Sequence, residues 1–135
     1  MTDSPHDFLH PKGWKATPGY SCGVAARGRM LFLGGLIGWN SQQEFETDDF
    51  AAQVRQALEN IVAVLAAGGA RPDHIVRLTW YVTDKREYLN SLKEIGAAYK
   101  AVIGRHYPAM ALVQVAGLVE DRAKVEIEAT AVVPD

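Results

Sequence analysis

The chain has 135 residues, 48% hydrophobic and 22% charged, which suits one globular domain able to bury a core without disulfides or metal staples. A formal net charge of -2, with no run of five like charges and no basic stripe, leaves no footprint for a phosphate backbone, so nucleic acid is excluded as an expected partner. No stretch reaches the ~18 uninterrupted apolar residues of a membrane span; the polar, acidic start has no signal-peptide core, and Cys22 is the one cysteine, so a cytoplasmic protein without a membrane partner is expected.

Residues 1–20 carry Pro5, Pro11, Pro18, Gly13 and Gly19 without periodicity and read as an irregular N-terminal arm, ahead of a single domain over residues 21–135. Two strand-like runs follow, Gly23 to Arg27 and Met30 to Leu33, and the intervening Gly28-Arg29 predicts a hairpin; Gly34-Gly35 ends the second run. Phe50, Val54, Ala57, Leu58, Ile61, Val62 and Leu65 recur at helical spacing, with Thr47 or Asp48 as the N-terminal cap and Gly68-Gly69 as the left-handed exit. From His74 to Thr83 the apolar Val76, Leu78, Trp80 and Val82 alternate with Arg77, Thr79, Tyr81 and Thr83, predicting a strand. Asp84 with Glu87 reads as a variant capping box for a second helix through Tyr88, Leu92, Ile95, Tyr99 and Val102, ending at Gly104. Strands over about Ala109 to Ala116 and Ala123 to Val133 complete the order.

Two helices cover only one face of such a sheet, so the other is either wet or buried by another subunit. That face is expected to carry Lys124, Glu126, Glu128 and Thr130. Glu126 and Glu128 fit a solvated pair tied to Lys124, or a carboxylate at an interface that acts as a general base or fixes a water. Arg105, His106 and Tyr107 place a cation, an imidazole and a phenol together before a turn, as a ligand-facing loop or the cationic end of a helix does. Trp39, in a glycine-flanked loop, fits a packing lid or a pocket wall, whereas Trp80 fits the core. His6 and His10 are bracketed by prolines and lack the glutamate of a zinc-binding helix, so no metal is expected; Gly34 to Gly38 precedes no helix start and has no phosphate-loop lysine. For Cys22, a partly buried strand residue is favoured over a nucleophile.

Gly19-Tyr20, the Gly34-Gly35 break, Gln56-Ala57-Leu58-Glu59-Asn60-Ile61, Val76 to Asp84, and a Pro108-Ala109-Met110 turn leading to Val125-Glu126-Ile127-Glu128 occur in order over nearly the whole chain after Gly19. In this the sequence resembles the YjgF/Rid family of imine and enamine deaminases. The resemblance implies an α+β, chorismate-mutase-like single domain: a mixed β-sheet with two helices on one face, assembled as a homotrimer with clefts between subunits and no cofactor. It implies a small-molecule substrate, with Glu126 positioning the hydrolytic water and Tyr20 lining the pocket; Tyr20 and His106 are then expected as polar groups near the leaving amine. It also implies that Gly35 and Met110 bind substrate, Met110 standing where deaminating members carry a carboxylate-binding arginine; Leu36 likewise replaces a usual glutamine. Trp39, Arg105, Tyr107 and Gln114 complete the expected substrate-binding set, with Arg105, His106 or Arg77 as a substitute cation. The more apolar pocket suits a bulkier, less carboxylate-dependent substrate, for instance an aminomuconate-type compound. The competing expectation is a non-catalytic binding or interaction trimer of the same fold.

Overall fold

A computed structural model describes residues 4–135. The strands are β1 (Asp7–Leu9), β2 (Gly23–Ala25), β3 (Arg29–Phe32), β4 (Leu36–Ile37), β5 (Ile75–Val82), β6 (Ala109–Gln114) and β7 (Val125–Val133). The helices are α1 (Phe50–Ala67), α2 (Lys85–Leu89) and α3 (Leu92–Val102), with a short 3₁₀ turn at Pro72–His74. In the main sheet the order is β3-β7-β5-β6, with β4 also pairing with β7; β5 and β6 are parallel and the other pairs antiparallel. This is the α+β mixed sheet expected, with its helices on one face.

Alternation decides which face is buried. Val125, Ile127, Ala129 and Ala131 of β7 join Leu78, Trp80 and Val82 of β5 beneath Val54, Ala57, Leu58, Ile61 and Leu65 of α1. A bulge between Ile75 and Arg77 breaks the alternation expected through Val76, so Ile75 is buried while Val76 is only partly covered.

Several expectations are corrected. The hairpin does not form: β2 pairs with β1, and β3 pairs with β7, which lets Leu31 reach the α1 layer while a local turn would pair β3 with a strand too short to bury it. The β1–β2 ladder also ties the arm to the domain across residue 20. Asp49 caps α1, its side chain accepting from the Ala52 N–H, and Gly69 at φ 75° supplies the left-handed exit. The second helix is two helices: α2 ends after five residues at Asn90, and Ser91, like Asn90 a weaker helix former, leads into α3. Finally, Lys124 leaves the open face: its Nζ lies 3.0 Å from Glu87 of α2, not against Glu126 or Glu128. No helix among the described residues is long and apolar enough to cross a membrane.

Candidate functional site

Residues directly opposite in a ladder share a face. The register therefore gathers Glu126, Glu128 and Thr130 of β7, Arg77, Thr79 and Tyr81 of β5, Ala109, Ala111 and Val113 of β6, and Met30 and Phe32 of β3 on the sheet face the helices leave open. Phe32 is 74% exposed and Met30 55%. Large apolar groups around a carboxylate, left uncovered by the chain itself, suit an assembly interface.

The two carboxylates on this face have different fates. Glu128 accepts a hydrogen bond from the Tyr81 hydroxyl at 2.7 Å, and this bond, with burial and the charges of Glu128 and Glu126, holds the Tyr81 phenol above its ordinary pKa. Tyr81 thus stays a donor and satisfies Glu128. Glu126, opposite Tyr81 and Ile37, has no hydrogen-bond or ion-pair partner among the described residues. Its carboxyl group lies against Gly35, where a Cβ would meet Glu126 Cδ at 2.7 Å. Gly35 is bare because the carboxylate occupies the space of a side chain.

Polar groups of α1 hold that arrangement. Asn60 donates through Nδ2 to the carbonyls of Ile37 (2.9 Å) and Trp39 (2.8 Å), fixing the exit of β4, while Gln56 donates to Asn60 Oδ1. Gln53, fully buried, donates to the carbonyls of Thr47 and Arg122 and accepts from the Lys124 N–H, two residues ahead of Glu126. Gln53, Asn60 and Tyr81 are not among the residues expected at the site from sequence. Polar residues at buried (Gln53) or half-buried (Asn60) helical positions were the available signal for the first two, and Tyr81 on the amphipathic side of β5 for the third.

The remaining candidates do not gather around Glu126 within one chain. Met110 pairs with Leu78 and packs on the core, so it faces the helix layer on the opposite side of the sheet. Together with Gly19, Trp80, Tyr107 and residues of α2 and α3 it lines an apolar cavity of about 350 Å³. Tyr107 stacks on Tyr99 with ring centroids 5.5 Å apart. Tyr20 is exposed beside this cavity's rim, next to Ser21, which bridges to Ala109. Gln114 turns to α2, where its Oε1 accepts from the Lys85 N–H. Trp39 packs on Phe45 at 5.8 Å, as a loop lid does. Arg105 and Arg77 are exposed and have no partner among the described residues.

His106, expected beside the leaving amine, is buried under the N-terminal arm. Its Nε2 lies 2.7 Å from the Ile75 carbonyl, its ring contacts Phe8, and its own carbonyl accepts from the Tyr99 hydroxyl. Ile75 and Tyr81 are six residues apart on β5, about 20 Å of strand, so His106 sits far from the Glu126 of its own chain. His74 is also buried; its Nδ1 accepts from the Arg71 N–H and its carbonyl contacts His6 Nε2 at 3.0 Å. Burial holds both His74 and His106 below the ordinary value of 6.5. An imidazole whose pKa is depressed by folding takes up its proton more readily in the unfolded chain. Stability is therefore full above about pH 6.5 and falls as pH drops toward the depressed folded values. The urea midpoint is expected to fall between about pH 7 and about pH 5, and a midpoint constant across that window would contradict the burial of neutral histidines. Among the described residues no group of three or more His, Cys, Asp or Glu is placed to hold a metal ion; His10, for instance, contacts the Trp14 carbonyl.

The fold and the site define an α+β domain whose main sheet leaves one face open around a carboxylate. The chain belongs to the YjgF/Rid family: the family model described as Endoribonuclease L-PSP matches residues 12–133. It is 38% identical over 108 residues to the 2-iminobutanoate/2-iminopropanoate deaminase of Escherichia coli K12, covering 78% of this chain and 80% of that protein. It is also 38% identical over 124 residues to Protein DfrA of Myxococcus xanthus, covering 87% and 88%. Among solved structures, the Rid family protein YyfB of Yersinia pestis, described as of unknown function, superposes with a TM-score of 0.84 at 31% identity, covering 95% of this chain and 98% of that one. The YjgF gene product of E. coli gives 0.66 at 37% identity, covering 87% and 90%.

Proposed function

We propose that the protein hydrolyses the C=N bond of an imine, or of the imine tautomer of an enamine, in a small metabolite, within clefts that copies of the chain form in a homotrimer. The observation that carries this is the unpartnered Glu126 carboxylate, held against Gly35 on an open face whose other carboxylate is already satisfied by Tyr81. Glu126 accepts a proton from water as the oxygen bonds to the imine carbon; the resulting carbinolamine receives a proton on nitrogen and expels ammonia, leaving the carbonyl product. Water supplies the oxygen and the protons, so the balance needs no cofactor. Tyr20, Met110 and Tyr107 line the substrate side from a neighbouring copy, because within one chain Met110 and Glu126 lie on opposite faces of the sheet. His106 positions the turn that presents Tyr107 and Met110. Relatives named as an imine deaminase and as a putative reactive intermediate deaminase support the reaction class. On the open face Glu126 and Glu128 outnumber Arg77, which disfavours a phosphate backbone and with it the endoribonuclease activity in the family model's description.

An arginine in place of Met110 offers a substrate carboxylate a charge-assisted bond that a thioether does not. The expected result is slow release of ammonia from 2-iminopropanoate by the unaltered chain, and about a tenfold gain in Met110→Arg. Imines and enamines generated enzymatically, 2-aminomuconate included, are the substrates to assay. Ammonia at the uncatalysed rate from all of them, beside a tightly held metabolite in the native mass spectrum, would overturn the reading in favour of a binding module.

A further inference from the structure

We propose that the cavity between β5, β6 and the α2–α3 pair seats an aromatic group of the bound molecule, and that a hydrogen-bond acceptor on that group takes up the Trp80 indole N–H. The cavity, about 350 Å³, is large enough for a ring and its substituent. Its wall consists chiefly of Trp80, Tyr88, Leu92, Ile95, Tyr99 and Met110, and no Asp, Glu, Lys or Arg lines it. A carboxylate or ammonium inside would be desolvated without a counter-charge, so the chemistry of the wall selects an uncharged, apolar occupant.

Two further observations point to an occupant. Trp80 is 2% exposed, and its Nε1 is the one buried side-chain nitrogen or oxygen without a hydrogen-bond partner among the described residues. An indole N–H only donates, and a phenylalanine or leucine would have filled the same strand position without stranding a donor. Gly96, inside α3, lines the cavity, and a Cβ added there would meet nothing within 4 Å. Glycine weakens a helix interior relative to alanine, and here it keeps space open. The Trp80 N–H is closed to bulk water, so an acceptor reaches it when a lining side chain moves. Met110 is the side chain best suited to move, being unbranched with several rotatable bonds. The direction of the bound molecule, with its C=N bond toward Glu126 of another copy, rests on the reading under Proposed function; the class of group in the cavity does not.

The test uses the full chain with imines generated by an amino-acid oxidase from alanine, phenylalanine and tyrosine, and calorimetric binding of pyruvate, phenylpyruvate and 4-hydroxyphenylpyruvate. The expected kcat/KM for the two aromatic imines is about tenfold or more above that for the alanine-derived imine, with the tyrosine-derived imine ahead of the phenylalanine-derived one. Trp80→Phe, which keeps a ring and removes the donor, should abolish the difference between the two aromatic substrates. Gly96→Leu, which fills the cavity and suits a helix, should lower turnover of both about tenfold. Turnover of the alanine-derived imine with no aromatic preference in rate or binding would overturn the inference and leave the proposed reaction standing. Aromatic preference insensitive to both variants would also overturn it. Silence toward every imine, with phenylpyruvate bound more tightly than pyruvate and weakened by Gly96→Leu, would keep the cavity assignment and remove the reaction. Neither turnover nor binding would overturn both.

Discussion

Glu126→Gln is expected to lower ammonia release about a hundredfold or more, the range that loss of a positioned general base commands. The substitution keeps the shape of the side chain against Gly35, whose missing Cβ makes room for it, and removes only the ability to take a proton from water. Because Glu126 has no partner within the chain among the described residues, the melting temperature should stay close to that of the unaltered protein. Glu128→Gln is the matched control: it weakens the charge-assisted bond from Tyr81 and is expected to have the smaller effect on rate. Equal losses from the two variants would remove the distinction between a free and a satisfied carboxylate on which the mechanism depends.

Gln53→Ala is expected to cost about 3 kcal/mol of stability, seen as a lower urea midpoint at unchanged slope. The side chain is fully buried and serves three backbone groups at once: the carbonyls of Thr47 and Arg122 at 3.1 and 3.0 Å and the N–H of Lys124 at 2.9 Å. Truncation strands all three and leaves a void where the buried amide lay. Since Lys124 leads directly into β7, the same loss loosens the strand that carries Glu126. A cost below about 1 kcal/mol would show that water replaces the amide at little penalty.

The helix α1 was legible because its apolar residues repeat at 3.6 and lie on one buried face, and β5 and β7 were legible because they alternate along most of their eight and nine residues. The pairing of β3 with β7 was not, since a strand of four residues carries no mark of a distant partner. The same limit hid the facing of Met110. Its place after Pro108-Ala109 was plain, but which face of the sheet it takes depends on the β5–β6 register, where a slip of one residue would set it beside Arg77 instead of Leu78. Arg105-His106-Tyr107 read as a polar cluster, yet the backbone sends His106 inward to the Ile75 carbonyl while Arg105 and Tyr107 stay at the surface. Glu126 emerged from strand alternation and the resemblance together. Its lack of a partner became visible only once Tyr81 was seen to engage Glu128 and Lys124 to engage Glu87.

The division of the site between copies is the claim on which the other functional statements depend, and mixed oligomers test it directly. Glu126→Gln and Gly96→Leu chains, lowered about a hundredfold and about tenfold on an aromatic imine that the unaltered chain turns over, are unfolded together and refolded at equal amounts. If Glu126 of one copy completes the cavity of another, random assembly places an intact Glu126 beside an open cavity in about a quarter of the clefts, and about a quarter of the activity returns. A mixture no more active than the mean of its two parents, with mixed oligomers confirmed by native mass spectrometry, would show that each site is built within one chain and would contradict this account.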